Sequence, residues 1–372
     1  MTGLYWKDMR ALGIGLLLLF LTASAGAQID PSTALLGKAG WDALAAGQSR
    51  VAAEAFRSAL AADPRNARLC LGAAIAAFLE RRDADAKELA DRAVALDPKL
   101  TDARVLLGQV LYRLGDIGGA IRTYETLAGE SQQTEAVATL ERWRRERDLH
   151  ERMQQEVGAH FVVSFEGPAE EAIAAQALAS LDRAYWRVGG VLGTLPTDPI
   201  PVVLYTREQF RDITRSPAWA AGAYDGTIRV PVRDVLDDLA ARDELERVLA
   251  HEFTHAVIRG LSKGNVPTWL NEGLATTLER DDLSWADERV RESGGRIPLA
   301  ELQNGFGRLS AAQAPLAYAT SAIAVRRLLD HAGGVAVANL LRDLGDRVPL
   351  EAAFLRRMQR NFADFLSSPE RF

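Results

Sequence analysis

Two histidines lie four residues apart around a glutamate in the stretch HEFTH, residues 251–255, and the stretch WLNEGLA, residues 269–275, follows closely. The whole chain has five histidines, so this concentration needs a reason. Residues 243–259 have the pattern of a helix: Asp243 and Glu244 at its start, Leu245, Val248, Leu249, Phe253, Ala256 and Val257 at helical spacing, and Gly260 as a stop. On such a helix His251 and His255 share a face, where two imidazoles reach one ion at about 2.1 Å each. Glu252 points about 100° away around the axis, which suits it to a water beside the ion rather than to the ion itself. Zinc acidifies such a water and stabilises a developing oxyanion, while a carboxylate takes the proton and returns it to a leaving amine. That is the chemistry of zinc-dependent peptide hydrolysis.

A catalytic zinc takes a third protein ligand and keeps a fourth position open. Pro267 reads as the start of a second helix after the loop SKGNV, with Leu270, Leu274 and Leu278 on its packing face and Glu272 in its first turns. Sixteen residues separate His255 from Glu272, enough for a helix end, a loop and a turn. Side-by-side packing of the two helices would then complete a His, His, Glu set.

Together, HEFTH and WLNEGLA resemble the gluzincin metallopeptidases, in particular the bacterial peptidase MA-like proteins and more distantly the family of the zinc aminopeptidases. The resemblance covers residues 158–372 and implies a zincin-like α+β metallopeptidase domain with a small sheet and a helical half. It implies one zinc ion per chain held by His251, His255 and Glu272, with Glu252 as general base and with Asn271 and Thr254 at most in support. Further on, YATSAIAVRRLLDHAGG carries the Y-x-x-S and V-x-x-L of the peptidase MA-like group. By that likeness Tyr318 donates a hydrogen bond to the oxyanion; the other reading is a tyrosine anchoring its helix in the core, and Ser321 reads as structural. GAYDGTIRVPV resembles the segment bordering the gluzincin cleft, an edge with which an extended substrate can pair. The G-A-M-E-N-type stretch by which zinc aminopeptidases hold a free N-terminus is absent, a departure that disfavours an exopeptidase and makes an endopeptidase the expectation.

The elements that must position these residues follow from the pattern upstream. HFVVSFEG alternates apolar residues at Phe161, Val163 and Phe165, and PIPVVLY is a short apolar run; both read as strands. Residues 169–192 between them have helical spacing, and GAYDGTIRVPV reads as a third strand with a turn at Asp225-Gly226 and with Pro231 at an edge or a strand end. His160 and His331 lack metal-ligand spacing and read as structural.

Residues 34–130 follow a different rule. Asp63-Pro64 and Asp97-Pro98 are 34 residues apart, and Gly47, Arg81 and Gly115 mark the same step, the period of a solenoid of paired helices. LGAAIAAFLERRDADAKELADRAVALDP and LGQVLYRLGDIGGAIRTYETLA resemble tetratricopeptide repeats, with Leu71-Gly72 and Leu107-Gly108 in first helices, Ala86 and Ala120 in second helices, and Trp41 as the large aromatic. About three units make an all-α stack whose concave face, by that resemblance, binds a peptide or partner protein. Residues 131–157, with Leu140, Trp143, Leu149 and Met153 at helical intervals, read as a capping and linking helix on which His150 is solvated.

Ahead of both regions, Lys7 and Arg10 precede the eleven apolar residues Ala11–Leu21 and the small-x-small pattern Ala25-Gly26-Ala27. Residues 1–27 therefore read as a signal peptide, since the apolar run is short of the roughly 20 residues that span a bilayer. Cleavage would leave an exported, periplasmic chain with no membrane span, and an uncleaved segment would leave it anchored. Cys70 is the one cysteine, so no internal disulfide forms, and it reads as a buried apolar residue. The net charge of −6 disfavours nucleic acid as a partner. A zinc peptidase with a protein or peptide substrate is the expectation. Its rival is an envelope scaffold that binds zinc but is inactive, or active only with a partner, and acts through its repeats.

Overall fold

The computed structural model describes residues 31–130, 134–167, 170–216, 220–232, 238–303, 306, 309–310 and 313–367. The expected signal segment lies outside them. Between Asp148 and Leu149 the chain divides into two compact units.

The first unit is built of helix pairs: α1 (Pro31–Ala45) with α2 (Ser49–Ala62), α3 (Ala67–Leu79) with α4 (Asp83–Leu96), and α5 (Thr101–Arg113) with α6 (Ile117–Glu130), followed by α7 (Thr134–His150). Helical backbone is disfavoured before proline, and Asp63 and Asp97 stand just past the ends of α2 and α4 at φ −128° and −140°. Gly47, Arg81 and Gly115 all adopt left-handed backbone, φ +72°, +57° and +84°, so the 34-residue step is also a conformational one.

Packing repeats with the same period. A Cβ on Gly40 would lie 2.8 Å from the Phe56 ring and one on Gly108 2.3 Å from the Tyr124 ring. At the corresponding places of the middle pair stand Ala74 and Ala90, both fully buried. Positions filled by a glycine and a ring in the outer pairs are thus filled by two buried alanines in the middle one. Trp41 meets Phe56 edge-on at 5.2 Å, and Ala86 and Ala120 are buried as expected. Trp143 of α7 closes the apolar end, stacked on Tyr112 at 5.0 Å and edge-on to Tyr124 at 4.5 Å. Cys70 is fully buried, and burial raises its thiol pKa.

The second unit opens with β1 (Gln154–Val157), β2 (Phe161–Phe165), α8 (Glu171–Leu192), β3 (Ile200–Tyr205), α9 (Arg207–Thr214), β4 (Ala223–Tyr224) and β5 (Ile228–Pro231). Helices α10 (Leu239–Ser262), α11 (Thr268–Leu278), α12 (Ser284–Glu292), α13 (Ala314–Ala332), α14 (Gly334–Gly345), α15 (Leu350–Met358) and α16 (Phe362–Ser367) complete it. The sheet order is β1-β2-β3-β5-β4, with β2, β3 and β5 parallel and the edge strands β1 and β4 antiparallel to their neighbours. Phe161, Val163, Val202, Leu204, Ile228 and Val230 share one core with Leu181 and Val188 of α8 and Leu249 and Phe253 of α10.

Several expectations change here. Residues 131–157 are not one helix: α7 stops at His150 and Gln154–Val157 pairs with β2 as an edge strand. His150 is half-buried rather than fully solvated, and its Nε2 bonds the Tyr205 hydroxyl at 2.6 Å. GAYDGTIRVPV is a hairpin of two strands turning at Asp225-Gly226, and Pro231 sits at the end of β5. Helix α10 starts four residues before Asp243, capped by Asp238, which accepts from the Ala240 N–H at 2.9 Å. Gly260 does not stop it; the helix closes at left-handed Lys263, φ +50°, followed by Gly264. Among the described residues no helix is long and apolar enough to cross a membrane.

Candidate metal centre

Helix α10 carries His251 and His255 one turn apart, their rings 4.8 Å apart and nearly perpendicular. Helix α11 packs beside it, with Pro267 as its N-cap and with Trp269, Leu270 and Leu274 fully buried. That packing fixes Glu272 in the second turn of α11, facing α10. A Cβ on Gly273 would lie 2.5 Å from the Ser321 carbonyl, so only glycine lets α11 lie this close to α13.

The Glu272 Oε2 lies 3.7 Å from His251 Nε2 and 3.6 Å from His255 Nε2. Among the described residues, these three form the group of potential ligands whose atoms lie within 4.8 Å of one another. Ligands bonded to one tetrahedral zinc at about 2.0–2.2 Å stand roughly 3.4 Å apart, so two imidazoles and a carboxylate at this spacing fit the ion. The far side of each ring supports the fit. His251 Nδ1 donates to Glu279 Oε2 at 2.7 Å and His255 Nδ1 donates to Asn271 Oδ1 at 3.2 Å. Each Nε2 thereby faces Glu272, and an ion bound there would displace any proton that Nε2 carries.

Glu279 escaped the sequence reading. It caps the C-terminal end of α11, buried, and its Oε2 also accepts from Arg247 Nη1 at 2.9 Å. Arg187 Nη2 donates to its backbone carbonyl at 2.9 Å. The signal was present: Glu279 lies seven residues after Glu272, two turns along the same face.

The charges divide sharply. Burial opposes the His251 imidazolium, but the Glu272 and Glu279 carboxylates overcome it and push its pKa up to about 10. Burial dominates at His255 and lowers it to about 4 against the pull of Glu272. Glu272 is desolvated too, yet His255 and His251 hold its carboxyl down at about 2. Burial raises Glu252 to about 7, and its Oε2 has no hydrogen-bond partner among the described residues. A carboxylate whose pKa lies near neutrality is suited to accept and return a proton.

The remaining candidates fall into place around this core. The Tyr318 ring lies 6.4 Å from that of His251 and is held edge-on by Phe306 at 5.1 Å. Burial, reinforced by Glu272, Glu252 and Glu279, raises its pKa far above the ordinary value, so the hydroxyl remains a proton donor. Thr254 turns away, bonding the Ala250 carbonyl at 2.8 Å. Ser321 is fully buried where α13 meets Gly273. His160 stacks on Tyr185 at 3.7 Å, and His331 Nε2 donates to the Met358 carbonyl at 3.1 Å, both outside the centre.

Comparison with known proteins bears on the first unit. The family model described as "Tetratricopeptide repeat" matches residues 77–143. Among solved structures, the first TPR domain of the human RPAP3 protein, determined by NMR, is similar at 24% identity with a TM-score of 0.30, over 32% of this chain and 93% of that one. No match is found among the curated proteins. The chain thus carries a tetratricopeptide repeat region, a kind of region associated with protein–protein interaction, and the match runs past α6 to include Trp143 of α7.

Proposed function

We propose that the C-terminal unit is a gluzincin-like zinc peptidase, an endopeptidase of exported, periplasmic location, and that the repeats bring it a protein partner or substrate. The observation that carries this reading is the convergence of His251 Nε2, His255 Nε2 and Glu272 Oε2, with the buried Glu252 carboxylate beside them lacking a hydrogen-bond partner among the described residues. His251, His255 and Glu272 would hold the ion. Zinc held there supplies Lewis acidity toward a water molecule and a peptide carbonyl.

The chain's own residues supply the rest. Glu252 takes the water proton on its carboxylate and delivers it to the departing amine nitrogen. The Tyr318 hydroxyl, kept protonated, donates to the carbonyl oxygen as negative charge gathers there. Glu279 and Asn271 hold the two imidazoles in rotation and tautomer.

The test is metal content of the purified chain by mass spectrometry alongside casein cleavage, for wild type, Glu272→Ala and Glu252→Ala. The expected result is one zinc per wild-type chain, none in Glu272→Ala, and zinc without cleavage in Glu252→Ala. Absence of zinc from wild type would sink the proposal. Zinc without cleavage in wild type would transfer it to the scaffold reading.

A further inference from the structure

Gly222 lies just before β4, against α10. A Cβ there would stand 2.8 Å from Glu252 Oε1, 2.9 Å from Glu252 Cγ and 2.8 Å from Val248 Cγ1. Its backbone is outside the positive-φ region that glycine alone adopts freely, so conformation does not demand glycine here. Space does.

Two further observations give that space a purpose. Glu252 is buried and its Oε2 has no hydrogen-bond partner among the described residues, so no hydrogen bond at that oxygen fixes where the carboxylate sits. Val248, one helical turn before Glu252, is a β-branched residue with one strongly preferred rotamer in a helix, and it is itself buried in the core. A methyl group at position 222 would therefore not displace Val248 easily. The more mobile neighbour is the carboxylate.

We infer that Gly222 is a positioning residue for Glu252: its missing side chain is the room in which the carboxylate is aimed. The assignment rests on the peptidase reading above. The three atoms nearest a Cβ there belong to Glu252 and Val248 and not to the three proposed ligands, so the centre and its base separate experimentally. In Gly222→Ala the metal content stays at one ion per chain, while kcat for peptide cleavage falls about 100-fold, the scale of a misplaced general base, with KM little changed. The contact is also measurable without turnover. Overpacking in Gly222→Ala lowers the midpoint of thermal unfolding of the metal-free chain by about 4 °C, and the same change made in a Glu252→Ala, Val248→Ala background lowers it far less.

The decisive experiment is that thermal cycle, run with metal analysis and steady-state kinetics on the full chain. Unequal costs of Gly222→Ala in the two backgrounds, together with the kcat loss at unchanged metal content, support the assignment. Should Gly222→Ala fail to fold alone, folding restored by the two truncations supports the same contact. Equal costs, failure to fold in both backgrounds, or unchanged kcat in an active enzyme would overturn it while leaving the peptidase reading intact. A wild-type chain that holds zinc but cuts nothing would remove the reaction, and with it the role of Gly222, even if the thermal coupling were found.

Discussion

In the repeat unit the buried rings of Phe56, Tyr124 and Trp143 are accommodated by glycine, alanine and other rings, whereas the C-terminal unit buries Glu252, His255, Glu272 and Glu279 close together. The repeat unit fills most of its interior with apolar shape that repeats with the chain, and its buried carboxylates Asp83 and Glu146 are partnered by Arg113 and by the Tyr112 hydroxyl. The C-terminal unit holds charge away from water, which is costly unless each group is paired or meets an ion. Shape of that kind supports a surface for partners. Buried, converging charge supports a reaction centre.

The sharpest way to break this contrast is to remove one ligand. Glu272→Ala is expected to reduce bound zinc from one ion per chain to none, read by mass spectrometry, with the helical circular dichroism of the repeats retained. Loss of the repeat signal as well would mean that the two interiors are not independent. The reciprocal change is Trp143→Ala, which removes a fully buried ring and should cost about 3–5 kcal/mol of repeat stability. Calorimetry should then show an earlier transition for the repeats at unchanged zinc content; a single transition shifted as a whole would contradict the division.

Within the centre, Glu279→Gln keeps a side chain that can accept from His251 but loses its charge, and should weaken zinc binding about 10- to 100-fold in competition titrations with a chelator. Unaltered affinity would make Glu279 a structural cap only.

The smallest effect concerns pH in the metal-free chain. The folded pKa of His251 lies above its unfolded value of 6.5, so the stabilisation it contributes is complete below pH 6.5 and is lost as pH rises through about 10. Between pH 7 and 9 the C-terminal unit should lose stability by about 1 kcal/mol per pH unit, and the slope should vanish with zinc bound. The repeats should show no such slope in that range. A flat profile for both units would remove the imidazolium from the account.

How legible each region is follows from the same contrast. The repeat period survives in sequence because each pair uses the same turn and the same small residues, Gly40, Ala74 and Gly108, against Phe56, Ala90 and Tyr124. His251 and His255 are legible as candidate ligands because a helix converts a spacing of four residues into one face. Strand β1 is not: Gln154–Val157 is a mostly exposed edge held to β2 by backbone pairing, so it has no apolar alternation to betray it. The role of His150 depends on Tyr205, fifty-five residues away, and no local spacing encodes that. Gly222 is hidden for a similar reason, since a loop glycine is ordinary until Glu252 is found beneath it.

The close approach at Gly273 has a consequence for descent. Its backbone meets that of Ser321, so this glycine answers to the joint between two helices, while under the proposed function the glutamate before it would answer to a metal. On that proposal the two residues of the E-G pair answer to separate physical demands. If the chain hydrolyses peptides as proposed, a descendant that abandoned the reaction would be free to lose Glu272 and Glu252 yet would still need Gly273, and the glycine alone would mark the surviving architecture.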